Sequence, residues 1–160
     1  MYRILTCLLV LGTLAGLCCT VYSSSLPQYP IHKNREKPVT DDTGKARRLF
    51  ELTRCENQQI RWSECLSEQA YYRARKMVID KQFSHKDPVT GVNPAWNMMS
   101  SCGRWMRAAE NLTKGYQEAE TLHNALMRSP SHRKNIVDPR YSHVGVGCYD
   151  YICVELFAGL

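Results

Sequence analysis

The chain has 160 residues and a formal net charge of +6, with 44% hydrophobic and 22% charged residues. This composition excludes a disordered chain, and the length leaves room for one ordinary domain but not two. The basic residues are scattered and form no stripe interleaved with aromatic side chains, which argues against nucleic-acid binding.

The N-terminus has the pattern of a secretory leader. Arg3 supplies a positive charge, Ile4 to Leu17 is apolar and uncharged, and small polar residues follow. The pattern predicts a signal peptide over residues 1–23 and therefore a secreted, extracellular protein, or a periplasmic or cell-surface one in a bacterium. The apolar run is short for a membrane span. An uncleaved anchor and a lipoprotein modified at Cys18 or Cys19 remain as alternatives.

Residues 24–42 are polar and contain proline, which predicts a linker or flexible arm before a domain over residues 43–160. Apolar residues at helical spacing predict a helix from Thr43 to Cys55. A second helix is expected from about Glu64 to Gln82, with Ser63 as its N-cap.

The second half of the domain changes period. Turn-forming residues predict a loop over Ser84 to Gly103, with a short helix around Trp96. A third long helix fits Tyr116 to Arg128, and Pro130 marks its end. Alternating apolar residues predict a terminal β-hairpin that turns near Asp150 and Tyr151, with a turn looser than a two-residue type I′ because neither residue is glycine. This order of helices, loops and strands predicts an α+β architecture.

Five of the eight cysteines lie beyond the predicted leader. Export implies an oxidising compartment, so an odd count predicts two disulfides and one remaining thiol. Cys148 and Cys153 should face each other across the hairpin. Cys55 and Cys65 flank the corner between the first two helices and form the expected second pair, which leaves Cys102 as the thiol.

Four phrases occur together in register: Phe83-Ser84-His85, Glu110-Asn111-Leu112, Ser129 to Ile136 (SPSHRKNI) and Val144-Gly145-Val146-Gly147. In this order they resemble the CAP superfamily of cysteine-rich secretory, antigen 5 and pathogenesis-related proteins, also called the SCP domain, and in particular its compact bacterial-type branch. The resemblance covers residues 43–160. It implies a three-layer α-β-α sandwich that ends in a β-hairpin.

The resemblance also implies a cleft lined by His85, Glu110 and His132. Two imidazoles and one carboxylate form a ligand set found at catalytic zinc sites, so the prediction includes zinc or another divalent transition metal at these residues, although no cofactor is required. The alternative is that these side chains hydrogen-bond to one another and hold the cleft together. The sequence departs from the family pattern at Leu126, where an aromatic residue is usual, and at Ser129, where larger animal members carry a second cleft glutamate.

These observations favour a secreted binding or interaction module over an enzyme. The ligand would be a lipid or sterol, or an extracellular protein or cell surface. The segment that contains Trp96, Met98, Met99, Trp105 and Met106 is either a satellite core or an adaptable apolar contact surface. A metal-assisted hydrolase that uses the cleft residues and a purely structural extracellular protein are the alternatives. The sequence contains neither H-E-x-x-H nor G-x-S-x-G.

A formal N-glycosylation sequon occurs at Asn111-Leu112-Thr113. Asn111 is next to Glu110, which the resemblance places in the cleft. We therefore expect this sequon to carry no glycan.

Overall fold

The computed structural model describes residues 43–160. The predicted leader (1–23) and arm (24–42) lie outside the described residues. The elements in chain order are α1 (Thr43–Glu56), β1 (Arg61–Trp62), α2 (Glu64–Ile79), α3 (Ala95–Ser100), β2 (Arg107–Lys114), α4 (Ala119–Arg128), α5 (Pro130–Val137), β3 (His143–Tyr149) and β4 (Ile152–Gly159).

The first two predicted helices are confirmed. The Ser63 side chain caps α2 by accepting a hydrogen bond from the backbone N–H of Leu66 at 3.4 Å. The helix ends at Ile79 rather than at Gln82 because Lys81 has a φ of 53°, which lies in the left-handed region and cannot continue a helix.

The short helix around Trp96 is confirmed as α3, whereas the third long helix begins at Ala119 rather than at Tyr116. Gly115 has a φ of 90°, so the chain turns before α4 can begin. Pro130 ends α4 and also occupies the first turn of α5, a helix that the sequence pattern did not reveal.

The strands form a four-stranded sheet in the order β1-β3-β4-β2. The pair β1 and β3 is parallel, and the other neighbours are antiparallel. The predicted hairpin is confirmed, but the expectation of a looser turn was wrong. Tyr149 pairs with Ile152, and the two intervening residues, Asp150 and Tyr151, have φ values of 46° and 62°. Two left-handed residues are what a type I′ turn requires, and the non-glycine side chains tolerate them here.

Helices cover both faces of the sheet, which confirms the α+β class and gives the three expected layers. Residues from α1, α4 and α5 form one apolar cluster with the sheet, and residues from α2 and α3 form another. Strand β4 contributes to both clusters: Phe157 faces the first, and Val154 and Leu156 face the second. Because β4 is buried along its whole length, it is the element that joins the two layers.

The backbone of α2 packs directly against β3. A Cβ atom on Gly145 would overlap the backbone of Leu66 and Ser67, and one on Gly147 would overlap the backbone of Ala70 and Tyr71. The glycines of the V-G-V-G phrase therefore let the helix backbone rest directly on the strand.

Two disulfides are present in the described residues. The predicted Cys148–Cys153 pair is confirmed, with Cα atoms 4.1 Å apart. The predicted Cys55–Cys65 pair and the assignment of Cys102 as the remaining thiol were both wrong, because Cys65 bonds to Cys102 across a Cα separation of 5.6 Å. The physical reason is that α1 and α2 pack on opposite faces of the sheet, whereas α3 returns along α2 and delivers Cys102 to its first turn. Cys55 belongs to neither bridge.

None of the helices within residues 43–160 combines the length and apolar character that a membrane crossing needs.

Candidate functional site

The candidate site is centred on the carboxylate of Glu110 in the edge strand β2. Its side chain is only 2% exposed. The Arg73 Nε donates to Oε1 at 3.0 Å, and the His85 Nδ1 lies 2.8 Å from Oε2. The Asn93 amide nitrogen also donates to Oε2 at 3.4 Å. Both oxygens of Glu110 are therefore already engaged by side chains from α2 and from the loop that follows it.

Arg73 is a site residue that the sequence reasoning missed. It is buried with a 4% exposed side chain, and its second contact is a hydrogen bond to the carbonyl of Ser84 at 2.6 Å. It thus joins Glu110 to the residue just before His85. The signal was available, because Arg73 falls within the stripe that contains Ala70, Ala74 and Met77. An arginine on a buried face requires a buried acid.

The two predicted cleft histidines occupy different surroundings. His85 is held by Glu110 and leaves about half of its side chain, 51%, in contact with solvent. His132 lies on α5, in the other helical layer. Burial lowers the pKa of His132, and repulsion from His85 lowers it further. The hydrogen-bonded core of the cleft consists of Arg73, Glu110 and His85.

The geometry gives no support to the predicted metal site. A metal ion bound to the Glu110 carboxylate would have to compete with the Arg73 guanidinium, which lies 3.0 Å from Oε1. The two cations would repel each other when bound to the same carboxylate. Among residues 43–160, no group of three or more His, Cys, Asp and Glu side chains is arranged to hold a metal ion. Glu110, whose two oxygens are already engaged, is therefore not free to act as the third ligand beside His85 and His132. The zinc hypothesis stays a prediction.

The same contacts limit acid–base chemistry. A general base needs an oxygen or nitrogen within reach of the substrate proton. The oxygens of Glu110 face Arg73, His85 and Asn93, so within the hydrogen-bonded core of Arg73, Glu110 and His85 it is His85 that keeps solvent access. The arrangement can present a polar, hydrogen-bonding wall to a ligand, but it contains no paired nucleophile and base.

The Asn111 side chain is buried on the opposite face of β2 from Glu110. Its amide nitrogen donates to the Glu155 carboxyl at 2.9 Å and to the His132 carbonyl at 3.3 Å. This nitrogen is the atom to which a glycan would be attached. Its engagement in the core supports the prediction that the sequon carries no glycan.

The tryptophan- and methionine-rich segment divides into two parts. Met99 is buried, and Trp105 packs at the edge of the core cluster formed by α2 and α3. Trp96 and Met106 are exposed. Part of this segment thus belongs to the core cluster of α2 and α3 rather than to a separate satellite core, and part is exposed apolar surface.

The family model that describes the cysteine-rich secretory protein (CAP) family matches residues 53–153. The uncharacterized protein YkwD of Bacillus subtilis (strain 168) is 35% identical over 107 residues, which cover 63% of this chain and 41% of that protein. The chain thus matches less than half the length of this relative.

The solved structures are similar in fold at low identity. An extracellular protein with an SCP domain from Bacillus anthracis has a TM-score of 0.68 and 21% identity, with coverage of 78% of this chain and 45% of that one. An outer surface protein of Borrelia burgdorferi has a TM-score of 0.64 and 18% identity, covering 75% of this chain and 96% of the other. Since the family model spans most of the three-layer domain, this chain belongs to the cysteine-rich secretory protein (CAP) family.

Proposed function

We propose that this protein is a secreted binding module that contacts lipid through the apolar surface of residues 79–106. The observation that carries the proposal is the concentration of exposed apolar side chains in this segment. Six of the nine large hydrophobic residues that are exposed in residues 43–160 lie there: Ile79, Phe83, Val89, Val92, Trp96 and Met106. Single exposed apolar residues are ordinary, but a group in one short segment is typical of an interaction site.

The basic side chains of the segment favour an anionic lipid surface. The exposed side chains of Lys81, Lys86 and Arg104 lie among the apolar residues and outnumber the two carboxylates of the segment, Asp80 and Asp87, of which Asp80 is paired with Lys76. Apolar side chains that enter the headgroup region, together with nearby lysines, are the combination used by proteins that bind reversibly to anionic membranes. Two structural neighbours are described as an extracellular protein and an outer surface protein, which is consistent with such a location.

The cleft supports a binding role over hydrolysis. Glu110 is neutralised by Arg73 and is 2% exposed, so it is poorly placed to activate water. His85 can donate or accept one hydrogen bond at the margin of the apolar segment and so provide a polar contact for a headgroup. The metal-assisted hydrolase is not proposed, because Glu110, its candidate acid and metal ligand, already forms an ion pair with Arg73.

Vesicle co-sedimentation tests the proposal. The purified protein should sediment with vesicles of phosphatidylglycerol and phosphatidylcholine, and the double variant Val89→Ser/Trp96→Ser should lose most of this binding. Tyr151→Ser is the matched control, because Tyr151 is about as exposed as Trp96 but lies at the hairpin turn. Equal binding by the double variant, or no sedimentation of the parent protein, would leave a protein partner or a structural role as the better explanation.

Secretion is tested separately. Intact mass measurement of protein recovered from the culture medium should show that residues 1–23 have been removed and that two disulfides have formed. The same measurement under native conditions should reveal any lipid that is retained through purification.

A further inference from the structure

The carboxyl group of Glu155 is the most deeply buried acid in the described part of the chain. Its residue is 1% exposed and lies on β4, on the face covered by α1, α4 and α5. Its hydrogen-bond partners within residues 43–160 are neutral: the Thr53 hydroxyl lies 2.8 Å from Oε1, and the Asn111 amide nitrogen lies 2.9 Å from Oε2. A buried carboxylate without a cation is costly, so such a group keeps its proton instead.

The contacts of Asn111 extend this cluster toward the candidate site. The Asn111 amide nitrogen also donates to the carbonyl of His132. The Asn111 amide oxygen accepts a hydrogen bond from the Asn135 side chain at 2.8 Å. Both partners lie on α5. The hydrogen bonds of one buried amide therefore connect the Glu155 carboxyl to the helix that carries His132.

We propose that Thr53, Glu155, Asn111 and Asn135 form a buried proton-holding cluster in which the charge of Glu155 controls how firmly α5, and with it His132, is held against the sheet. With its proton in place, Glu155 is neutral and α5 packs closely. When the proton leaves, the carboxylate requires water or a cation, its hydrogen bond with Asn111 is disturbed, and α5, which is bound to the same Asn111 side chain, loosens. The device responds to pH near neutrality and does not depend on the proposed lipid binding.

Burial supports this behaviour by raising the pKa of Glu155 to about 7, against the opposing effect of the hydrogen bonds from Asn111 and Thr53. Charged and titratable groups of the surrounding elements lie outside the cluster: Arg54 and Glu56 on α1, His123 on α4, Lys114 on β2, and His132, Arg133 and Lys134 on α5. Of these, Glu56 faces His123 and His132 interacts with His85. Val146, the β3 neighbour of Glu155, is apolar.

The sign of the effect follows from the direction of the shift. A carboxyl group that binds its proton more tightly when folded stabilises the fold at low pH. That stabilisation is lost as pH rises from the ordinary glutamate range, about 4.5, through the folded value near 7. Over this window one proton is released per unfolding event, so the unfolding equilibrium constant should rise about tenfold per pH unit relative to a variant that cannot ionise.

Urea unfolding of the full chain between pH 4.5 and 8.5 provides the first test, with Glu155→Gln as the variant. Glutamine keeps the shape and hydrogen bonds of a protonated glutamate. The ratio of unfolding constants, parent to variant, should rise with pH up to about 7 and then become level. Glu118→Gln, an exposed carboxylate at the start of α4, is the control and should follow the parent protein. Parallel pH profiles for the parent and Glu155→Gln would overturn the proposal.

Amide hydrogen exchange provides the test of coupling to α5. In the parent protein, protection of residues 131–137 should fall between pH 6 and 8 relative to α2, after correction for intrinsic exchange rates. In Glu155→Gln it should not. An equal loss of protection in both proteins would contradict the coupling. Should Glu155→Gln fail to fold, the carboxyl resonance of Glu155 in the parent protein decides the question, because full ionisation at pH 5 excludes a proton-holding role.

Discussion

Arg73 and Glu110 show how a single buried ion pair can organise the cleft. Both side chains are almost completely withdrawn from solvent, and the Arg73 Nε donates to the Glu110 Oε1 at 3.0 Å. A pair of this kind contributes little net stability compared with apolar residues of the same size, but removal of one partner leaves an unpaired charge in the interior. The pair is better understood as the device that positions Ser84 and His85.

We expect Arg73→Met to lower the free energy of unfolding by about 3–5 kcal/mol, because Glu110 would then be buried without its cation. Arg75→Met, at an exposed position on the same helix, is the control and should change stability by no more than about 0.5 kcal/mol. Urea unfolding at neutral pH measures both. Equal stability of the two variants would mean that the ion pair is not held as described.

His123 and Glu155 should change the stability of the fold in opposite directions as pH rises. It is buried against α1, its Nδ1 has no hydrogen-bond partner among the described residues, and its Nε2 lies 3.9 Å from the Glu56 Oε1. Burial lowers the pKa of His123 despite the opposing influence of Glu56. The folded domain therefore prefers the neutral imidazole. Its stability contribution is complete above pH 6.5 and is lost as pH falls through the lower folded value.

His123→Leu should remove this acid sensitivity. The parent protein should lose up to about 1.4 kcal/mol per pH unit relative to the variant below pH 6.5, because one additional proton is taken up on unfolding. Urea midpoints at pH 5.0, 6.0 and 7.5 give the comparison. Should the difference between the two proteins be the same at all three values, His123 would not be the acid-sensitive group.

At the level of elements, sequence periodicity correctly located the helices and strands whose apolar residues recur at regular helical or alternating spacing. The predictions of α1, α2 and the β3–β4 hairpin are correct because their buried positions recur at helical or alternating spacing. Strand β2 was missed because it carries Glu110, Asn111 and Thr113 in buried positions. Their partners lie on α2, α5 and β4, and contacts between such distant parts of the chain leave no periodic trace in the local sequence.

The candidate site was predictable to a similar extent. The motif resemblance identified Glu110 and His85, which are in contact, and His132, whose pKa is lowered by burial and further by the charge of His85. It did not identify Arg73 as the partner of Glu110, because that residue lies on a helix whose other basic residues are exposed. The cysteine pairing also depended on the path of the loop between α2 and β2. Turn-forming residues predict that a loop is present, but they do not predict where in the fold it brings Cys102.

The two disulfides should differ in their effect on stability because they close loops of different length. Cys65 and Cys102 are separated by 37 positions and Cys148 and Cys153 by 5. In the chain-entropy treatment the longer loop is worth about 4 kcal/mol and the shorter one about 2 kcal/mol. We expect Cys65→Ser/Cys102→Ser to lower the thermal midpoint more than Cys148→Ser/Cys153→Ser, as measured by calorimetry. The reverse order would show that unfolded-state entropy does not govern these bridges.

At the scale of the whole molecule, the two helical layers pack on opposite faces of the same strand, β4. Neither layer can separate from the sheet without exposing one face of that strand. β4 is buried along its length, with Phe157 packed against α1, α4 and α5 and Val154 and Leu156 packed against α2 and α3. Exposure of either face would remove the apolar contacts that β4 makes on that face. The glycines at 145 and 147 strengthen this dependence, because they bring the α2 backbone directly onto β3.

The described domain should therefore unfold as one cooperative unit, and its tryptophans allow each layer to be followed separately. Trp62 packs against Phe50 on the α1 side of the sheet, whereas Trp105 packs against the α2 and α3 cluster. Two variants each keep one reporter tryptophan: Trp96→Phe/Trp105→Phe keeps Trp62, and Trp62→Phe/Trp96→Phe keeps Trp105. In each variant, the fluorescence transition in urea should coincide with the loss of helical circular dichroism. Coincident transitions are the signature of two-state unfolding, since no intermediate keeps one layer intact. A Trp62 transition that preceded or followed the dichroism change would show that the α1, α4 and α5 layer can separate from the sheet while α2 remains folded.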